Sequence, residues 1–166
     1  YTFTKAKQIS GDIDGWGAEL RDVAKAATKY GFLEKGQDPT GDERDGSRLD
    51  PKLDIEAAKH KKATYFDVEG FAGDLFDSLR AALWIYRAEK RSMLTGAIWH
   101  NSWSMLENKG IVKDSTDPAY GHAFKIYGQK TINGELYLKA QLSNGTDIGE
   151  GGIFYFPRSV VNEKFV

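Results

Sequence analysis

The sequence contains no cysteine. That excludes a disulfide framework, a thiolate metal site and a thiol nucleophile within these 166 residues. It also removes the staples common in small secreted domains, and points to the cytoplasm rather than to secretion. No apolar run approaches the ~20 residues of a spanning helix, and no signal peptide is visible. Neither sign of charge is in excess: 23 Lys and Arg stand against 24 Asp and Glu, for a net charge of −1. Nothing electrostatic therefore calls for nucleic acid or an anionic membrane as partner. Internal repeats and low-complexity tracts are absent too. What remains is an ordinary globular composition, 40% hydrophobic and 28% charged, long enough for one domain or a two-lobed unit with one main core. The first residue is Tyr1 rather than Met, so either an upstream piece has been removed or the chain is part of a longer product.

Hydrophobic periodicity divides the chain into a mainly helical part, 1–90, and a mainly antiparallel β part, 91–166. Residues 1–14 are mixed and read as strand or loop. Gly15-Trp16-Gly17 is expected to open a helix in which Trp16, Leu20, Val23, Ala24, Ala27 and Tyr30 form one apolar stripe, with Gly31 as its C-cap. A polar loop covers 36–51. Its acids invite a calcium reading, but they lack the alternate spacing, the sixth-position Gly and the twelfth-position Glu of a calcium loop, and its Arg residues would repel a cation. No metal or cofactor is expected. A short helix over 55–62 and a strand over 63–68 follow. Asp74 is the candidate N-cap of a helix burying Leu75, Phe76, Leu79, Ala82, Leu83 and Tyr86. Residues 91–99 read as a strand buried on both faces. Beyond it, Asn101-Ser102-Trp103 reads as loop packing, and His100 as a packed residue rather than a base.

From Gly121 the pattern alternates strictly: His122, Phe124 and Ile126 share one face, Ala123, Lys125 and Tyr127 the other. Asn133-Gly134 is a strong hairpin signal, because both residues tolerate positive φ. A second strand runs to Gln141, a third over 153–156, and 159–165 closes the chain as a short helix or packed tail.

The order Gly121-His122-Ala123, hairpin, strand, Leu142-Ser143-Asn144-Gly145 and Ile148-Gly149-Glu150-Gly151-Gly152 resembles the C-terminal half of papain-like cysteine proteases. So does the helix running from Leu20-Arg21-Asp22 to Tyr30-Gly31, which resembles the family's second helix. The later helix and the 91–99 strand occupy matching places. The resemblance implies an α+β papain-like fold, a single domain over 1–166, with helices beside an antiparallel β-barrel-like sheet, a cleft between them and the N-terminal cysteine helix missing. It makes His122 the general base of an active enzyme, and it puts the cysteine ~10–30 residues before Tyr1. The family's asparagine, which fixes the histidine tautomer, falls on Leu142, which cannot accept a hydrogen bond. Gln141 and Asn144 are the alternative orienters, although a regular strand points Gln141 to the opposite face. Trp99, Trp103 and Gly121 are the expected cleft residues.

The leading expectation is a papain-like domain without its catalytic cysteine. It would act as a structural or binding component (a pseudoprotease), with a bacteriophage particle as a suitable setting. The alternative is the C-terminal chain or fragment of an active endopeptidase. A β-rich binding module outside the family is a third reading, and it predicts no cleft at His122. Ser10, Ser102 and Ser143 have no surroundings suited to a serine nucleophile. The expected partner is a polypeptide, as substrate or assembly partner, including the protein's own N-terminal segment.

Overall fold

The computed structural model describes residues 1–34, 36–37, 50–62, 64–70, 72–104, 109–143 and 145–165. It divides into two compact units, Tyr1–Phe66 and Asp67–Val166. Most of the polar loop, 38–49, lies outside the described residues.

The first unit holds α1 (Thr2–Ser10), α2 (Leu20–Lys29) and α3 (Lys52–Ala58). Helix α1 replaces the strand or loop expected for the first residues. Its inner face is polar by composition: Thr4, Ala6 and Lys7 are its buried residues, so no apolar stripe marks it in the sequence. Lys7 is 1% exposed. Its ammonium donates to the carbonyls of Ile13, at 3.3 Å, and of Gly15, which pins the loop after α1. The Tyr1 hydroxyl donates to Asp54 at 2.6 Å, and Lys5 pairs with the same carboxylate at 2.9 Å. Burial, then the Asp54 carboxylate, pushes the Tyr1 hydroxyl well above the ordinary tyrosine range. The helix expected to open at Gly15 begins only at Leu20. Asp12 accepts the Gly15 N–H at 3.0 Å and holds that segment in a turn, leaving Trp16 88% exposed and off the buried stripe. Gly31 does end α2, at φ 97, and a Cβ there would lie 1.9 Å from the Ala57 carbonyl oxygen. Helix α3 sits earlier than the expected 55–62.

The strand expected at 63–68, across the boundary of the two units, is absent over 64–68, and residue 63 lies outside the described residues. Helix α4 (Leu75–Ile85) is capped as expected, Asp74 Oδ1 accepting the Asp77 N–H at 2.9 Å. Four strands follow: β1 (Met93–His100), β2 (Pro118–Ile132), β3 (Glu135–Gln141) and β4 (Ile153–Pro157), an antiparallel sheet in that order. A single-turn helix α5 (Asn101–Ser104) follows β1, and α6 (Arg158–Lys164) follows β4. Arg158 fastens α6 to the start of α4 through Asp74 at 2.5 Å and Asp77 at 2.8 Å.

The turn between β2 and β3 is Asn133-Gly134, with φ 51 and 84, the paired positive values that a tight hairpin twisting with its strands needs. In β2 the register shifts between Ile126 and Gly128, so Tyr127 is an inserted, bulged residue. One face of the sheet builds the core from Ala97, Trp99, Phe124, Ile126, Leu138, Ala140, Phe154 and Phe156, joined by Phe76 and Leu79 of α4 and Val160 and Val161 of α6. The other face of β1 is open: Leu94 is 55% and Ile98 47% exposed. The expected burial of β1 on both faces therefore fails, because an antiparallel sheet needs only one face covered. No helix among the described residues is long and apolar enough to cross a membrane.

Candidate functional site

His122 sits on β2 directly opposite Ala97 of β1, so its side chain shares the core face with Trp99, Tyr120 and Phe124. The imidazole is half-buried among three rings. It meets Trp99 edge-on at 5.3 Å between centroids, Tyr120 edge-on at 6.0 Å, and Phe124 at 6.2 Å and a tilt of 36°. Trp99 is fully buried and held by its indole N–H, which donates to Ser104 Oγ at 2.8 Å. Trp103 stands one ring further in, edge-on to Trp99 at 5.3 Å, with its own N–H on the Lys113 carbonyl at 2.9 Å. These tryptophans brace the histidine from behind.

Two expectations about the cleft change here. Trp99 and Trp103, at 0% and 1% exposure, have no surface to offer a partner. Gly121 pairs with Ile98 and lies on the face away from His122. The aromatic that does reach solvent beside His122 is Tyr120, 49% exposed. It escaped sequence reading, although its parity with His122 on one strand was the available signal. His100 is packed as expected: it is 3% exposed and tilted over Trp103 at 4.7 Å, and its Nδ1 lies 3.4 Å from Asp117 Oδ1. The Ser115 hydroxyl first, then the Ser102 N–H and hydroxyl, hold the Asp117 carboxyl below its usual range. That cluster stabilises the turn after β1.

The Gly149-Glu150-Gly151-Gly152 segment is a tight turn leading into β4. Gly149 is at φ 66, and a Cβ there would lie 2.5 Å from the Ile153 carbonyl oxygen. Glu150 is fixed by the Tyr155 hydroxyl and by Lys130 at 3.1 Å, which together hold its carboxyl below the usual range.

No family model matches the sequence, and no curated protein matches it. Solved structures do. Xylellain, a cysteine protease from Xylella fastidiosa, superposes with a TM-score of 0.74 over 100% of this chain at 19% identity. Digestive procathepsin L 3 of Tenebrio molitor larval midgut superposes with a TM-score of 0.70 over 99% of it at 18% identity. The chain has the papain-like α+β fold. It spans 66% of the xylellain chain and 52% of the procathepsin chain.

The sequence resemblance puts the asparagine's place at Leu142. It is 8% exposed and part of the core cluster, and its N–H reaches the Gly152 carbonyl at 3.4 Å. A leucine there packs and cannot hold a tautomer. Gln141 does not substitute for it. It pairs with Lys125 on one side and Ile153 on the other, is exposed, and shares the Lys125 face of the sheet, opposite to His122. Asn144 lies outside the described residues. Among the described residues no group of three His, Asp or Glu side chains could hold a metal ion. A papain-like fold with no cysteine fits a catalytically incomplete domain.

Proposed function

We propose that this papain-like domain binds polypeptide without cleaving it. Leu142 carries the reading. A thiolate–imidazolium pair needs an acceptor on the second ring nitrogen to fix its tautomer, and Leu142, which the resemblance puts at that position, is an aliphatic side chain in the core. What persists around His122 is a recognition surface. The exposed Tyr120 ring and the half-buried imidazole stand on a braced wall of Trp99 and Phe124, the aromatic composition that supplies contact area at interfaces.

A second reading has one observation in its favour: the chain spans only 66% of xylellain, so a thiol could come from residues outside these 166. His122 would then act as general base in an active cysteine endopeptidase.

Both are tested by treating the native protein with a thiol-directed epoxide, measuring its intact mass, and titrating it with fluorescein-labelled casein. Binding of casein without cleavage, no epoxide adduct, and weaker binding for Tyr120→Ala are the expected results. An epoxide adduct that disappears in His122→Ala, accompanied by casein cleavage, would overturn the proposal in favour of the peptidase.

A further inference from the structure

Beside the C-terminal end of α4 lies a cavity of about 390 Å3, at the small end of the range for ligand sites. It shares no lining residue with the rings around His122. Its walls are Leu83 and Trp84 of α4 and Tyr127 of the β2 bulge, and its rim carries Arg80, Arg87, Lys90 and Arg91. Trp84 is 64% exposed, far more than a structural tryptophan requires.

The rim's charge is only half answered. Arg80 pairs with Asp77 at 3.0 Å and Arg91 with Glu89 at 2.5 Å. Among the described residues no carboxylate lies in ion-pair range of Arg87 or Lys90. Arg87 instead lies over the Trp84 ring at 3.7 Å and gives one N–H to the Trp84 carbonyl at 2.6 Å, which leaves the rest of its fork to solvent. Lys125 and Lys139 lie 5.9 and 5.1 Å from the centre of the Tyr127 ring, on the outer face of the sheet and outside the cavity lining. A chain of net charge −1 has thus gathered a cationic, aromatic surface at one place. Lys90 sits at φ 52, the left-handed position that caps the turn Arg87–Glu89 and that glycine occupies without cost.

We propose that this pocket docks an acidic polypeptide segment bearing an aromatic or leucine side chain. That side chain enters between Trp84 and Tyr127, and flanking carboxylates meet Arg87, Lys90 and Arg91. A single walled cavity with an aliphatic side suits one anchor residue. A nucleic-acid strand would need a row of open stacking faces, and Arg87 already covers one face of Trp84. The proposal is independent of the reading of His122, and its assay involves no catalysis.

The test is fluorescence anisotropy of the full chain, at low salt, with a fluorescein-labelled Glu-Glu-Asp-Phe-Asp-Glu-Glu peptide. Controls are its Gln/Asn counterpart, a peptide with Gly in place of Phe, and an oligothymidylate competitor. The acidic peptide binds and both peptide controls bind more weakly. Trp84→Ala weakens binding about 30-fold, as truncating a central interface aromatic does. Lys90→Gly weakens it about fivefold while the melting temperature holds or rises, a separation no purely structural role for Lys90 would give. Equal binding of the neutral peptide, or wild-type affinity in both variants, refutes the proposal. Oligothymidylate displacing the peptide at lower concentration than unlabelled peptide would make the pocket a nucleic-acid site instead.

Discussion

Replacing Leu142 with asparagine introduces the residue that the papain-like resemblance expects there into a core that now holds a leucine. The side chain is 8% exposed and packs within the cluster that includes Trp99, Phe124 and Phe154. Leu142→Ala is expected to cost about 3 kcal/mol, from lost transfer energy and the cavity left behind. Leu142→Asn loses about 2 kcal/mol of burial and places an amide in the same surroundings, which costs about 2 kcal/mol more if nothing receives it. If position 142 faces the imidazole, the amide finds His122 and regains about 1 kcal/mol. The measurement is a double-mutant cycle: Leu142→Asn and Leu142→Ala, each with His122 and with His122→Ala, by urea denaturation followed through tryptophan fluorescence. The expected result is a coupling of about 1 kcal/mol between the introduced amide and the imidazole that the alanine series lacks. A coupling below about 0.3 kcal/mol would refute the correspondence between Leu142 and the family's orienter.

Two further outcomes follow from ion pairs. Asp74 is held below the usual carboxyl range by the Asp77 N–H first and Arg158 next, and Asp77 by Arg158 first. Groups depressed in the folded state stabilise fully above the unfolded value near ~3.9 and lose that contribution as pH falls through the folded one. Arg158→Met should therefore flatten the fall in melting temperature between about pH 4 and pH 2, and an unchanged acid limb would remove this network from the account of acid stability. Lys7→Met leaves the Ile13 and Gly15 carbonyls without their buried donor. It should cost about 1–3 kcal/mol and bring limited proteolysis into the 11–17 loop before any other site, whereas a cut pattern identical to wild type would show that the loop holds without Lys7.

The β half was legible in the sequence and the helical half much less so. Strict alternation from His122 to Ile126 and the Asn133-Gly134 turn each point to one structure, so strand, face and hairpin came out as expected. Parity alone turned Gln141 away from His122, and the sheet register does the same. Helix α1 was invisible because its buried positions hold Thr4 and Lys7, and a buried lysine held by carbonyls leaves no apolar stripe to read. Trp16 misled for the opposite reason: a large apolar residue at helical spacing that a turn, held by Asp12, leaves in solvent. At the site the histidine was legible and its surface was not, since burial decides between Trp99 and Tyr120 and no local pattern encodes it.

The extra residue in β2 acts as a phase shifter for the strand. Before Tyr127 the even positions His122, Phe124 and Ile126 turn inward; after it the odd ones do, Gln129 standing opposite the buried Leu138. Deleting Tyr127 would join Ile126 to Gly128 in plain alternation and leave Gln129 opposite Leu138 and Lys130 opposite Tyr137. Lys130 would keep Glu150 and Tyr155, Gln129 would keep Arg80, and only the bulged ring would be lost. One strand can thus carry two surfaces, an aromatic one around His122 and a cationic one beside α4, whose side-chain requirements never have to agree.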